Sequence, residues 1–158
     1  MARDIKLAFD GISILSGSDI EYKNGDLVRE EGLVTAVLIS LYTDRRASKD
    51  DEIDNQNDKR GWWGDLAPET GDRIGSKLWQ YERSTSSQSN ITKIKQAIEN
   101  CLQWMIDDGV AKKIIVSLEK FGEAGNYRLG AAISIYKSDG TETTVKFDDL
   151  WEATYAIQ

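Results

Sequence analysis

The sequence predicts an α+β fold: a small N-terminal β element, two or three helices, and a C-terminal antiparallel β meander packed on the long helix. Three observations predict it. An Asn-Gly pair near the N-terminus sits between apolar residues, the pattern of a tight hairpin. From Asn90 to Asp108 the apolar residues recur three and four apart, the period of a helix. Beyond Lys112 the period drops to two, with turn residues between the runs.

In residues 4–9, Ile5, Leu7 and Phe9 alternate with Asp4, Lys6 and Ala8, which reads as a half-buried strand or extended segment. A turn-prone connection follows at Gly11–Gly17. Asn24-Gly25 then stands between Ile20/Tyr22 and Leu27 and predicts the hairpin. Residues 32–42 (GLVTAVLISLY) are apolar nearly throughout. Leu33, Val34, Val37, Leu38 and Leu41 fit a helical stripe, with a buried strand as the rival because of the β-branched content. The preceding acids Glu30 and Glu31 suit a helix N-terminus, so a helix is expected, closed by the charge cluster Thr43–Arg46.

Residues 47–59 (ASKDDEIDNQNDK) carry almost nothing apolar to bury, so a mobile acidic loop is expected. Its acids do not meet the spacing of a calcium loop, and the central glycine is missing. Residues 60–83 (RGWWGDLAPETGDRIGSKLWQYER) hold three of the five tryptophans, the single proline and four of the thirteen glycines. Bulky aromatics beside backbone punctuation read as a packed corner, with a short helix from Ile74 through Leu78 and Tyr81. A polar hinge follows at Ser84–Ser89.

The long helix has Ile91, Ile94, Ile98, Cys101, Leu102 and Met105 on one face, Asn90 as its expected cap and Gly109 just past its end. Cys101 therefore reads as a small core residue. In the meander, Ile114, Val116 and Leu118 share one side of the first strand; Leu129, Ala131, Ile133 and Ile135 share one side of the second. Gly122–Asn126 joins them, and Ser138-Asp139-Gly140 leads into a third strand at residues 141–147. The tail keeps Leu150, Trp151 and Tyr155 for docking.

The 158 residues fit a single domain, 1–158. Twenty basic against 27 acidic residues give a net charge of −7, which speaks against nucleic acid as a partner. No apolar run approaches the ~20 residues of a membrane span, and the N-terminus lacks a secretory apolar region, so no membrane partner and folding in a cytoplasm are expected. There is no histidine, which removes the Ser-His-Asp and Cys-His constellations and most zinc sites. One cysteine forms no internal disulfide. No cofactor or metal is expected.

Carboxylate pairs are the remaining route to chemistry. Candidates are Glu69 with Asp72, and Glu82 with Asp65; Glu82 near Trp62, Trp63 and Trp79 would have an apolar wall to raise its pKa. The plainer reading is an ion pair with Arg60, Arg73 or Arg83. The tryptophans read as core or interface anchors, since Trp and Arg dominate interface hot spots. On these residues alone the chain is a binding or structural module rather than an enzyme.

Three pieces together resemble the Mu-like phage baseplate family: VLISLYTDRRA (Val37–Ala47), RGWWGD (Arg60–Asp65) and IGSKLWQYER (Ile74–Arg83). The N-terminal DIEYKNGDLVREEGLVTA and LQWMIDDGVAKKIIV (Leu102–Val116) match the same layout. That family is similar to the sheath initiator of contractile tails, the lysozyme-like wedge protein family. Two departures stand out. The acidic stretch 47–59 separates the basic turn from the corner, and Ile106-Asp107-Asp108-Gly109 replaces the expected Glu-Pro-Arg. The resemblance implies a non-enzymatic structural protein of the virion tail, assembled in the host cytoplasm. It would be present in several copies around the tube and would template the first sheath ring. Its partners would be other wedge proteins, tube and sheath subunits, and its contact residues would be Arg45, Arg46, Arg60, Trp62, Trp63, Asp65, Trp79, Glu82 and Arg83. An open edge of the meander suits addition of a sheath strand, guarded against self-pairing by Lys113, Glu119 and Lys146. The alternatives are a peptidoglycan hydrolase of the tail, and an assembly chaperone absent from the finished particle.

Overall fold

The computed structural model describes the chain except residues 1–3, 6, 9–18, 21, 28, 31–32, 54, 56, 67–72, 83, 85–86, 124–125, 152–153 and 158. The N-terminal part is a ribbon folded back on itself in three short antiparallel pairings. β1 (Asp4–Ile5) pairs with β6 (Arg29–Glu30), β2 (Leu7–Ala8) with β3 (Asp19–Ile20), and β4 (Tyr22–Lys23) with β5 (Asp26–Leu27). Asn24 and Gly25 form the predicted two-residue turn, both at positive φ. Which side chains of residues 4–9 are buried lies outside the described residues.

The stretch 32–42 is a helix, α1 (Val34–Tyr42). Val34, Val37, Leu38 and Leu41 form its buried stripe, at the spacing of one helical face. Of the acids expected to favour its start, Glu31 lies outside the described residues and Glu30 plays no such part. Glu30 lies in β6, the first turn carries no acid, and Leu33 enters the helix at φ 65 without a side-chain cap. Burial, not the helix dipole, holds this element.

The long helix α2 (Gln88–Asp107) starts earlier than the sequence suggested. Its cap is Ser87, not Asn90: the Ser87 hydroxyl accepts the backbone N–H of Asn90 at 3.2 Å. Ile94, Ile98, Cys101, Leu102 and Met105 are all buried, as their spacing predicts. The third expected helix, running from Ile74, is only a 3₁₀ turn at Leu78–Gln80. A second 3₁₀ turn spans Trp63–Leu66.

The C-terminal part is a four-stranded antiparallel sheet, one strand more than the meander read from the sequence. β7 (Ala111–Glu123), β8 (Asn126–Lys137), β9 (Glu142–Asp149) and β10 (Thr154–Ile157) lie in the order β10-β9-β8-β7. Register is set by the hairpins: Val116 faces Ile133, and Ile133 faces Val145. The extra strand comes from the tail, where Leu150 is fully buried and its N–H reaches the Leu129 carbonyl at 2.8 Å. Lys113 and Glu119 are exposed on the edge strand β7, whereas Lys146 lies on the interior strand β9 and guards no edge.

One core joins these elements. The inner face of the sheet (Val116, Leu129, Ala131, Ile133, Ile135, Val145, Phe147) meets the α2 stripe, and α1 closes it with Val37, Leu38 and Leu41. Burying each such aliphatic side chain contributes about 1.5–3 kcal/mol. Tyr42 ties the layers together: its ring meets Phe147 edge-on at 6.0 Å, and its hydroxyl donates to the Leu150 carbonyl at 2.9 Å. Burial, helped by the nearby Asp149 charge, raises the Tyr42 pKa well above that of a free phenol.

Candidate functional site

The corner after α1 is held by backbone contacts between residues far apart in sequence. Asp44 and Ser76 form a parallel bridge: the Arg45 N–H donates to the Ser76 carbonyl at 2.8 Å, and the Ser76 N–H to the Thr43 carbonyl at 2.9 Å. The Ser76 hydroxyl donates to the Leu41 carbonyl at 2.5 Å and accepts from the Leu78 N–H at 3.1 Å. One buried side chain therefore closes the end of α1 and starts the 3₁₀ turn. Gly75 makes this possible. At φ +92 a side chain is strained, and a Cβ there would lie 2.2 Å from the Thr43 oxygen. The same bridge stops the helix expected from Ile74.

Arg45 is the hub of the corner. Its carbonyl accepts from the Trp79 indole N–H at 2.9 Å, and its guanidinium donates to the Arg73 carbonyl. Arg60 pairs with Asp44 at 3.0 Å and stacks over the Trp79 ring, 4.8 Å from its centroid. Arg46 donates to the Arg60 carbonyl at 3.3 Å. Asp65 is half-buried, and one of its oxygens accepts the Ile74 N–H at 3.3 Å.

The described residues of the acidic stretch 47–59 are irregular and tethered twice. Ala47 is buried, and its N–H reaches the Lys59 carbonyl at 2.9 Å. Asp51 pairs with Lys77 at 2.6 Å and accepts from the Ser48 N–H at 2.7 Å and from Gln80 at 3.3 Å. Burial works against the ionised form of Asp51, but the bonds from Lys77, Ser48 and Gln80 outweigh it and lower its pKa to about 2.

The structure sorts the expected contact residues. Arg45, Asp65 and Trp79 are half-buried, Arg46, Arg60, Trp62, Trp63 and Glu82 are exposed, and Arg83 lies outside the described residues. The tryptophan pair is not core: Trp63 is 77% and Trp62 42% exposed, with rings 5.3 Å apart. Glu82 shares an open cleft with Trp79, Arg60, Glu52 and Asp58, and it has no apolar enclosure. Of the two carboxylate pairs, Glu69 and Asp72 lie outside the described residues. Cys101 is buried against the Ile98 carbonyl, and burial pushes its thiol up to about 12, with Arg45 pulling weakly the other way. Among the described residues no group of three or more Cys, Asp or Glu is placed to hold a metal ion, and no helix is long and apolar enough to cross a membrane.

Sequence reasoning did not single out Asp44, Ser76, Leu66 or Trp104, and gave Arg73 only as an ion-pair partner for the candidate carboxylates. Trp104 sits off the apolar stripe of α2, 38% exposed, and its indole N–H donates to Ser40 of α1 at 3.1 Å. A tryptophan out of phase with its own helix was the available signal. Beside it, a groove of about 820 Å³ runs between α1, the corner and α2, past Ile39, Trp62, Asp65, Arg73 and Trp104.

Comparison with known proteins places this arrangement. Residues 33–142, from the start of α1 into β9, match the family described as phage protein GP46. The chain is 35% identical over 110 residues to the baseplate protein gp46 of Escherichia phage Mu, covering 69% of this chain and 74% of that one. It is 34% identical over 98 residues to the Mu-like prophage FluMu protein gp46 of Haemophilus influenzae, covering 62% of this chain and 65% of that one. The matched region contains the corner, α2 and the long hairpin of the sheet, and the chain belongs to the GP46 family of Mu-like phage baseplate proteins.

Proposed function

We propose that the chain is a structural, non-enzymatic component of a contractile tail baseplate or related injection particle. It sits around the tube and templates the first ring of sheath subunits. A relative named as a baseplate protein supports the baseplate role. The observation that carries the templating step is the edge of the sheet. β7 runs for 13 residues, and among the described residues no strand lies on its far side. Such an edge accepts an added strand through main-chain hydrogen bonds. Exposed charges at Lys112, Lys113, Glu119 and Lys120 disfavour pairing between free copies.

A reconstruction of the whole tail tests this. Density for this fold against the tube, with a sheath segment paired along β7, is the expected result. A first sheath ring that touches only other proteins would remove the templating role. Purified tails lacking the chain would point instead to an assembly chaperone. Clearing of cell-wall substrate that Glu82→Gln abolishes without unfolding would point to a hydrolase.

A further inference from the structure

Opposite in character to the acidic remainder of the chain is the face made by the turn Trp63–Leu66. Trp63 is 77% exposed, Leu66 74% and Trp62 42%. Three large apolar side chains this open and this close in sequence are costly in water unless something covers them. Arg60, just before the tryptophan pair, sits at φ 46, an uncommon conformation for a residue with a side chain. Gly64 then lets the Trp62 ring lie across the turn, since a Cβ there would be 2.1 Å from it.

The charges around this face are one-sided. A cleft of about 230 Å³ is lined by Arg46, Arg60 and Arg73 together with Trp62, Trp63 and Leu66, and its single acid among the described residues is Asp65. Arg60 is paired with Asp44. Arg46 and Arg73 have no carboxylate partner among the described residues. The whole chain carries a net charge of −7, so among the described residues three arginines against one aspartate invert the balance in this cleft. Exposed Trp with Arg is also the composition that anchors protein interfaces.

We infer that this face docks an acidic segment of a neighbouring protein in the baseplate, one that sets Asp or Glu side chains around an apolar anchor. The anchor lies against Trp63 and Leu66, and the carboxylates meet the Arg46 and Arg73 guanidinium groups, which suit them in geometry as well as charge. The contact is separate from the β7 edge and rests on the baseplate reading given above. It gives the chain two kinds of attachment: main-chain pairing at the sheet, and side-chain recognition at the corner.

The test uses tails assembled in cells that supply the chain in trans. A photo-reactive benzoylphenylalanine replaces Leu66, and Arg46→Glu with Arg73→Glu reverses the charge. The expected crosslink is to one other tail protein, at a segment rich in Asp and Glu. The double reversal should lower incorporation into tails about tenfold or more, because like charges then face each other across the contact. Its melting temperature should stay within a few degrees of the parent's, since both positions are exposed and the bond lost is the 3.3 Å contact from Arg46 to the Arg60 carbonyl. Crosslinks to nucleic acid, to phospholipid, to a second copy, or within the chain to residues 67–72 would overturn the inference, as would unchanged incorporation of the folded double variant. Absence of the parent chain from purified tails would instead overturn the baseplate reading, and this inference with it.

Discussion

The sheet with α2 and the corner between residues 43 and 82 use the same residue types for opposite ends. In the first region the inner face is packed, with Ile91, Ile114 and Leu118 partly buried at its margin, and Ile98, Leu102, Ile133, Ile135 and Val145 have no exposed surface at all. In the second, Trp62, Trp63 and Leu66 face water while the backbone is knotted underneath by Ser76, Arg45 and Trp79. One region owes its stability to packed area; the other sets Leu78 into the core and otherwise relies on a few hydrogen bonds and one glycine. Hydrophobicity alone does not say which side chains are core. What decides it is whether the backbone beneath them leaves a partner face to pack against.

The sharpest way to break this comparison is to truncate the core. Leu102→Ala should cost about 2–5 kcal/mol, read from chemical denaturation, because a fully buried side chain leaves a cavity. A cost under about 1 kcal/mol would mean that the sheet–helix layer is not the main source of stability. Next comes the knot. Gly75→Ala should cost roughly 2–3 kcal/mol, since it adds a strained φ and a clash with the Thr43 carbonyl. A melting temperature equal to that of the parent would show that the corner is loosely held.

Trp79→Phe keeps most of the ring but removes the N–H that Arg45 accepts, and should cost about 1 kcal/mol by thermal denaturation. Because Trp79 is only half-buried, truncation to alanine is expected to cost less than it would at a core tryptophan. Asp51→Asn should cost on the order of 1 kcal/mol near neutral pH. The sign follows from its lowered pKa. The tether's contribution is fully present above the unfolded carboxylate value of about 4 and fades as pH falls through about 2. Parent and variant should therefore converge in acid, and a gap that widens there would contradict this reading of the Lys77 pair. The smallest effect is Trp63→Ser, expected within about 0.5 kcal/mol of the parent in stability, since the ring is 77% exposed.

What the sequence disclosed follows the same division. The α2 stripe and the two long strands were legible because their signals are local and repeat many times: Ile94, Ile98, Cys101, Leu102 and Met105 for the helix, Leu129 to Ile135 for the strand. The Asn24-Gly25 hairpin was legible for a similar reason, since two residues dictate the turn. The corner was recognisable as a special place but not as a structure. Its bonds link residues 28, 34 and 35 positions apart, and no periodicity encodes such pairings. Trp62 and Trp63 follow a residue at positive φ, Arg60, and composition reveals neither that conformation nor their exposure. The tail strand β10 was hidden because four residues carry too little pattern to separate a strand from a loop.

Cys101 lies where the two regions meet, on the buried face of α2 and beside Arg45 in the groove. With its thiol pushed up to about 12 and its surface covered, it should be nearly inert to alkylating reagents while the native contacts last. Being the single cysteine, it is also a natural clock. Its rate of modification counts how often α2 lifts from its neighbours, with no engineered label and no competing thiol in the chain. Timed in the free chain and again in assembled tails, the same atom would report how far incorporation into the particle quiets the opening of the fold.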